Sequence, residues 1–209
     1  MLSYLNWSVD DLFTRAAAPE PEPGGGGVSA ISAVLGLGML AMVAKISLEK
    51  EKDRQLTDKL KEILVILGEN SSSLKALTQQ DMEAYQEFRQ ALSLPNKTPE
   101  EKALRGERKQ QAAILAAKVP LEMAHCCLRG LRAAKDLAHI GSKYAISDVG
   151  VGANLLEAAL KGALLLVDAN IPYINLSSKT NELISQRTTL LAEAIEISLV
   201  TQKTVQERM

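Results

Sequence analysis

The most constraining feature of this sequence is an uncharged run over residues 28–44, which directly follows four consecutive glycines. The run is about four to five helical turns long, well beyond a typical strand. It is shorter than the roughly 20 apolar residues that a membrane-spanning helix needs, and glycine, alanine and serine dilute it. We therefore expect a helix over residues 28–52 that is buried in a protein core, and no membrane segment.

A second apolar helix is expected over residues 145–170, because small and apolar side chains recur there at helical spacing. This smooth face, suited to close packing on the first helix, consists of Gly152, Leu155, Ala159, Gly162, Leu166 and Asn170. Both helices are apolar around most of their circumference, and a chain of 209 residues has too little further structure to cover them. The sequence therefore predicts a two-fold homodimer.

Further helices are predicted over residues 8–18, 53–92, 99–139 and from residue 178 onward. Residues 53–92 form either one long helix with a weak middle or two helices in register. Ser8 and Thr98 are expected N-cap residues. Pro99 and Glu101 support a helix start at Thr98, since proline is favoured at the first helical position and glutamate completes a capping box. Pro120 predicts a break or kink. No stretch combines strand-type alternation with β-branched and aromatic residues. The fold prediction is an all-α, single-domain bundle of about six up-and-down helices over residues 1–209.

Charge and cysteine content narrow the function classes. The chain has 24 Lys and Arg against 25 Asp and Glu, which argues against a nucleic-acid partner. The cysteines, Cys126 and Cys127, are adjacent in an apolar helical stretch, where reduced core thiols would suit the cytoplasm. The first residues lack the features of a secretory signal peptide. His125 and His139 would lie about 20 Å apart on one helix, so we expect no metal site.

The glycines Gly24, Gly25, Gly26 and Gly27 are the first candidate for a site. They follow an arm that alternating prolines make extended (residues 19–23), and they lack the Gly-Lys-Ser/Thr signature of a phosphate loop. At a helix N-terminus they would expose backbone N–H groups and let a ligand approach the chain closely. The alternative is a flexible hinge before a buried helix.

Asp81 stands where a seven-residue apolar series predicts a leucine. The other members of that series are Leu60, Leu67, Leu74 and Phe88. A carboxylate on an apolar face is costly unless it is paired or used in function. The alternative is that Met82 and Tyr85 make the core contact while Asp81 turns to the edge.

Asp148 and Ser147 lie in the first turn of the helix predicted over residues 145–170. A carboxylate there serves as a helix cap or, alternatively, as a functional group. Lys45 begins a group of cations at the end of the helix predicted over residues 28–52. That group is either a solvated helix end or a contact for an anionic ligand.

Residues 21–27 and the following Ser29 resemble the N-terminal segment of proteins in the family of formiminotetrahydrofolate cyclodeaminases and methenyltetrahydrofolate cyclohydrolases. Later segments resemble that family in the same order, over residues 81–85, 119–121, 145–151 and 170–171. The resemblance covers about residues 8–175. The sequence departs from the family pattern at Gly27, at residues 141–144 and at Leu166.

The resemblance implies an all-helical homodimer that binds a reduced folate near the glycines, at or close to the subunit interface. It implies conversion of 5-formiminotetrahydrofolate to 5,10-methenyltetrahydrofolate and ammonia, with no cofactor beyond the folate substrate. The alternatives are a 5,10-methenyltetrahydrofolate cyclohydrolase or an inactive helical scaffold, which the departures would favour. We expect Asp148 and Asp81 to be catalytic. The expected folate-binding residues are Gly24, Gly25, Gly26, Gly27, Ser29, Lys45, Ser147 and Asn170.

Overall fold

The computed structural model describes residues 4–19 and 23–209, and these residues form six α-helices and three short 3-10 turns. The helices are α1 (Val9–Ala16), α2 (Gly25–Lys50), α3 (Arg54–Ser93), α4 (Pro99–Ile140), α5 (Ile146–Asn170) and α6 (Ser177–Arg208). No strand occurs in the described ranges. The predicted all-α bundle of six helices is confirmed. Residues 20–22 of the predicted proline arm (residues 19–23) lie outside the described residues.

Side-chain caps determine where three helices begin. The Ser8 hydroxyl accepts a hydrogen bond from the Asp11 N–H at 3.1 Å and caps α1. Asp53 caps α3 by accepting from two backbone N–H groups at 2.7 and 3.0 Å. Thr98 and Glu101 form the predicted reciprocal capping box at the start of α4. These caps satisfy N–H groups that have no partner within the helix.

The predicted start of α2 at residue 28 is wrong. The helix begins at Gly25, so three of the four glycines form its first turn, and Gly24 is an extended N-cap. Glycine loses more conformational entropy than any other residue when it enters a helix. The long apolar segment that follows is packed in the core, and this packing outweighs the local preference.

The predicted break at Pro120 is also wrong, because α4 continues through it as one helix of 42 residues. Proline has no N–H, so the carbonyl four residues earlier, that of Ala116, loses its helical partner. The side-chain amide of Asn170 supplies the missing donor, with Nδ2 lying 3.1 Å from the Ala116 oxygen. A tertiary hydrogen bond therefore replaces the helical one.

Helices α2, α3, α4 and α5 form a ring around the core, and α6 packs against α4 and α5. The pair α2 and α5 is antiparallel, with Gly25 beside Leu166 at one end and Ser47 bonded to the Ser142 N–H at the other. The closest approach is at Gly36 and Gly152. A Cβ atom on Gly36 would lie 2.9 Å from the Gly152 carbonyl oxygen, so the backbones touch directly. The predicted close packing of the two smooth helices is confirmed.

The outward side of this pair carries an apolar surface that no described residue covers. We name it the α2/α5 stripe. Its most exposed large members are Val28, Leu35, Val151 and Leu165, at 42, 60, 48 and 66% exposure. By length and composition, α2 and the stretch Lys143–Tyr173 could each cross a membrane, but 44% and 50% of their apolar windows are buried within the fold. Core helices with one exposed apolar side have the same composition.

The contact between α2 and α5 predicts opposite outcomes for two nearby glycines. Gly36→Ala should lower the free energy of unfolding by about 1–3 kcal/mol, because the new methyl group has no room. Gly38→Ala is the matched control, since nothing lies within 4 Å of its Cβ position. It should be neutral or raise stability by up to about 1 kcal/mol. Urea denaturation at equal protein concentration measures both, and equal stabilities would contradict the direct backbone contact.

Candidate functional site

A cavity of about 260 Å³ lies where the N-terminus of α2, the C-terminus of α5 and the middle of α3 meet. Its lining residues are Tyr4, Gly24, Gly25, Gly26, Asp81, Met82, Tyr85, Phe88, Ala116, Leu166 and Asn170. Five of them are predicted site residues. A larger groove of about 450 Å³ lies between α3 and α4, and its lining contains none of the predicted site residues. We therefore take the smaller cavity as the candidate site.

The floor of the cavity is the N-terminus of α2. Gly24 has no side chain to cap the helix, so no described side chain bonds the first-turn N–H groups in the manner of an N-cap. Those groups and the helix dipole favour an anion or an electron-rich ligand atom. A Cβ atom at position 26 would overlap the carboxyl group of Asp81, so glycine at this position lets Asp81 lie against the helix N-terminus.

Asp81 faces the cavity rather than the solvent edge of α3, while Met82 beside it is the more deeply buried, at 6% exposure, as the alternative interpretation expected. Its carboxyl group lies against Gly26 and is partly buried. Burial raises the pKa of Asp81 to about 6, because the charged form loses hydration. A carboxyl group with such a pKa is suited to giving and taking a proton near neutral pH.

Asn170 is held at the roof of the cavity by two carbonyl groups. Its Nδ2 donates to Leu166 O at 2.8 Å and to Ala116 O at 3.1 Å. Both amide hydrogens are therefore occupied, and the side-chain oxygen keeps its acceptor capacity for a ligand donor. The missing N–H of Pro120 leaves the Ala116 carbonyl available, so the proline contributes indirectly to the position of Asn170.

Sequence reasoning missed the aromatic character of the cavity. Tyr4, Tyr85 and Phe88 line it, which is three of only seven aromatic residues in the chain. Flat aromatic faces suit stacking against a planar heterocycle. The rarity of aromatic residues was a usable signal for Tyr85 and Phe88, which lie close to Asp81 in sequence. Tyr4 could not be recognised as a site residue from the sequence, because only the tertiary structure brings it to the start of α2.

Two of the predicted binding residues lie beside the cavity and do not line it. Gly27 is covered by the ring of Tyr4, which lies 3.1 Å from its Cβ position. Ser29 lies two residues further along α2, against Gly162 of α5. Gly27 therefore leaves room for Tyr4, and Leu166 forms part of the cavity wall.

Lys45, Ser147 and Asp148 lie at the opposite end of the α2–α5 pair. Asp148 is in the first turn of α5 and Asn170 is its last residue, and a helix of 25 residues is about 37 Å long. Within one chain, these three residues and the cavity are therefore far apart. Their functional roles stay a prediction.

The capping interpretation of Asp148 is not what the structure shows. The N-cap of α5 is Ala145, and its end carries no side-chain cap hydrogen bond. The turn that precedes α5 is instead held from outside. Arg208 donates to Ala138 O at 2.6 Å and to Gly141 O at 2.8 Å. The start of α5 is thus positioned by α6, which leaves Asp148 available for another role.

No group of three or more His, Cys, Asp and Glu side chains in residues 4–19 and 23–209 is arranged to hold a metal ion. Cys126 and Cys127 are free and buried. Burial raises the pKa of both thiols, so neither is an activated nucleophile. The polar groups of the cavity lining are therefore the carboxyl group of Asp81, the first-turn N–H groups of α2, the side-chain oxygen of Asn170 and the phenol groups of Tyr4 and Tyr85.

Comparisons with known proteins identify the family of this chain. Residues 8–189 match the sequence profile of a family described as formiminotransferase-cyclodeaminase. A methenyltetrahydrofolate cyclohydrolase from Methylorubrum extorquens is 30% identical over 189 residues, which cover 90% of this chain and 91% of that protein. A formimidoyltransferase-cyclodeaminase from Gallus gallus is 34% identical over 86% of this chain, which spans 32% of that longer protein.

A solved structure has the same fold. The crystal structure of formiminotetrahydrofolate cyclodeaminase from Thermotoga maritima superposes with a TM-score of 0.87, over 97% of this chain and 98% of that chain, at 21% identity. The helical arrangement is therefore shared across nearly the full length of both chains.

The raised pKa of Asp81 predicts a pH-dependent stability. Above pH 6 the folded chain must hold an ionised, partly buried carboxylate, whereas at about pH 4 the group is protonated in the folded state and costs little. Asp81→Asn and Asp81→Leu should therefore melt at the same temperature as the parent or higher at pH 8. The gain is at most about 3 kcal/mol, and for Asn it should disappear near pH 4.

Thermal denaturation between pH 4 and 8 measures this effect. Glu87→Gln, which removes an exposed carboxylate from the same helix, is the matched control and should show no such trend. A much lower melting temperature of both Asp81 variants at pH 8 would mean that the carboxylate belongs to a stabilising network.

Proposed function

Because the chain belongs to the formiminotransferase-cyclodeaminase family, we propose that it converts 5-formiminotetrahydrofolate to 5,10-methenyltetrahydrofolate and ammonia. The observation that carries this proposal is Asp81, a carboxyl group of pKa about 6 beside a helix N-terminus in an aromatic-lined cavity. The reduced folate would be the only organic cofactor or substrate required, and the cytoplasm its place of action.

The reaction needs one proton to be moved between two nitrogen atoms. N10 of the folate attacks the carbon of the formimino group in its cationic amidinium form and gives its proton to the carboxylate, which leaves a neutral tetrahedral carbon that carries an amino group. Protonation of that amino group then allows the carbon–nitrogen bond to break, with ammonia leaving and the methenyl cation forming. One carboxyl group that accepts and returns a proton near neutral pH can serve both steps.

The lining of the cavity supplies the other requirements. Tyr85 and Phe88 offer faces for the pterin ring, and the side-chain oxygen of Asn170 offers an acceptor for a ring N–H group. The first-turn N–H groups of α2 would bind a carbonyl or anionic atom of the folate. Ionised Asp81 would also stabilise the positive charge of the methenyl product.

Hydrolysis of 5,10-methenyltetrahydrofolate is the second candidate. It is supported by the similarity to the cyclohydrolase from Methylorubrum extorquens, which this chain matches over 91% of that protein's length. The two reactions pass through related tetrahedral carbons flanked by nitrogen atoms. The same carboxyl group would then activate water instead of N10.

One assay tests the proposal and separates the candidates. The protein is incubated with 5-formiminotetrahydrofolate or with 5,10-methenyltetrahydrofolate, and the near-ultraviolet absorbance of the methenyl compound is followed. We expect enzyme-dependent growth of the band with the first compound. Enzyme-dependent loss with the second would identify a cyclohydrolase. No change with either would mean a helical scaffold. Asp81→Leu should lose at least ~10²-fold in turnover.

We also propose that the protein is a homodimer joined through the α2/α5 stripe. Leu35 and Leu165 are 60% and 66% exposed near the middle and one end of the stripe, and a continuous apolar surface of this kind is typical of an interaction face. The same patch on two copies gives a closed two-fold interface.

Light scattering measures this state directly. A species of twice 22.6 kDa is expected at micromolar concentration. Leu35→Glu should shift it toward the monomer, because it would bury a charge at the interface. Leu199→Glu, at a 67% exposed position on α6 outside the stripe, is the matched control. A 22.6 kDa parent species would contradict the dimer.

A further inference from the structure

A groove with a positive lining lies at the hairpin where α3 ends and α4 begins, and we name it the cationic groove. Its volume is about 260 Å³, and its lining residues are Asn96, Lys102, Arg105, Gly106 and Lys109. The lining contains three cations and no carboxylate. None of the three cations belongs to an ion pair among the described residues. A concave surface whose charges all have one sign favours an anionic ligand.

Arg105 is held in place within the cationic groove. Its Nη2 donates to the carbonyl oxygen of Leu92 at 2.7 Å, which ties the first part of α4 to the end of α3. Its Nε is buried and has no hydrogen-bond partner in the described part of the chain. An incompletely bonded, partly buried guanidinium group is costly. An anion bound in the groove would offset this cost, because it would neutralise the charge of the guanidinium group.

The cationic groove continues the candidate cavity along one face of α4. Ala116 lines the cavity, and Lys109, Arg105 and Lys102 precede it by 7, 11 and 14 residues. This spacing places all four residues on the same side of the helix. Along the helix axis, Lys109 lies about 10 Å from Ala116 and Lys102 about 21 Å from it. A ligand that leaves the cavity along α4 therefore meets three cations in succession.

An aromatic side chain connects the two places. Tyr173 belongs to the 3-10 turn that follows α5, and its ring centroid lies 5.1 Å from that of Phe88, which lines the cavity. The Nζ of Lys109 lies 4.6 Å from the centroid of the same Tyr173 ring. The Asn175 N–H donates to Oε1 of Gln110 at 3.3 Å, which holds this turn against α4. The surface from the cavity to the groove is therefore first aromatic and then cationic.

We propose that the cationic groove binds the anionic tail of the folate whose ring system occupies the cavity. This inference rests on the proposed function, which supplies a ligand with a flat heterocycle, then a p-aminobenzoyl group, then glutamate carboxylates. The same order occurs in the protein, with the cavity, the Tyr173 ring and the three cations. Because Lys109 and Lys102 are about 10 Å apart along α4, the groove offers contacts to several carboxylates. The substrate is therefore a folate with several γ-linked glutamates.

The KM for folates of different tail length tests the proposal. The pentaglutamate and the monoglutamate of whichever folate the protein turns over are compared at equal ionic strength. We expect a KM at least ~5-fold lower for the pentaglutamate, because several exposed ionic contacts each contribute modestly. Added salt should reduce the difference, since it screens such contacts. Equal KM values for the two tail lengths at low salt would overturn the proposal.

Two double variants locate the effect. Lys102→Gln/Lys109→Gln should raise the KM for the pentaglutamate and bring the two KM values to within ~2-fold of each other. Lys75→Gln/Lys135→Gln is the matched control, because it removes the same charge from exposed positions on α3 and α4 outside the groove. The control should keep the difference seen in the parent. An undiminished difference in the first variant, or an equal loss in the control, would contradict a role of the groove.

A binding experiment tests the groove without any turnover. The probe is p-aminobenzoyl-penta-γ-glutamate, which has the tail and the aromatic group but no pterin, and its binding is measured by calorimetry. The parent should bind it, and Lys102→Gln/Lys109→Gln should bind it at least ~5-fold more weakly. Penta-γ-glutamate without the aromatic group should also bind more weakly than the probe, because it cannot contact Tyr173. Equal affinity for both compounds would indicate a general polyanion site and overturn the proposal, as would no binding of the probe.

Failure of this inference and failure of the proposed function give different results. A parent protein that turns over neither folate, yet binds the probe through Lys102 and Lys109, would contradict the proposed reaction and support the groove as a tail site. A protein that turns over the monoglutamate and the pentaglutamate with the same KM would support the reaction and exclude the groove from substrate binding.

Discussion

The direct backbone contact of α2 with α5 is the constraint on which the rest of the structure depends. Gly36 and Gly152 let the two helices touch, and an antiparallel pair this close fixes which residues face each other along its whole length. The start of α2 is thereby brought to the end of α5, where Gly25 lies beside Leu166. The cavity exists because these two helix ends meet above α3.

The cavity combines features that each reduce stability. A helix starts without a side-chain cap, a carboxylate lies partly buried, and a proline interrupts the hydrogen bonds of α4. Residues that oppose local folding preferences are often found at functional sites. Here the three are linked, because Gly26 makes room for Asp81 and the carbonyl that Pro120 leaves unpaired holds Asn170. The proposed proton transfer uses the carboxyl group of Asp81, whose pKa burial raises to about 6.

The two ends of the α2–α5 pair divide the predicted site residues into two groups that lie far apart within one chain. Burial of the α2/α5 stripe between two copies would cover its exposed apolar surface, which supports the proposed dimer. Arg208 of α6 holds the turn that precedes α5, and it thereby positions the first turn of α5, which carries Asp148.

The sequence alone determined the helical class, the helix starts at Ser8 and Thr98, the close packing of the two apolar helices and the family, because periodicity, capping and motif order are local properties. It also marked Asp81 as misplaced on an apolar face. Only the tertiary structure decided that α2 begins at Gly25, that α4 continues through Pro120 and that Tyr4 closes the cavity. Each of these depends on contacts between residues far apart in the chain, such as the Asn170 hydrogen bond to Ala116. Local sequence preferences contain no information about such contacts, so they could not have been predicted from spacing.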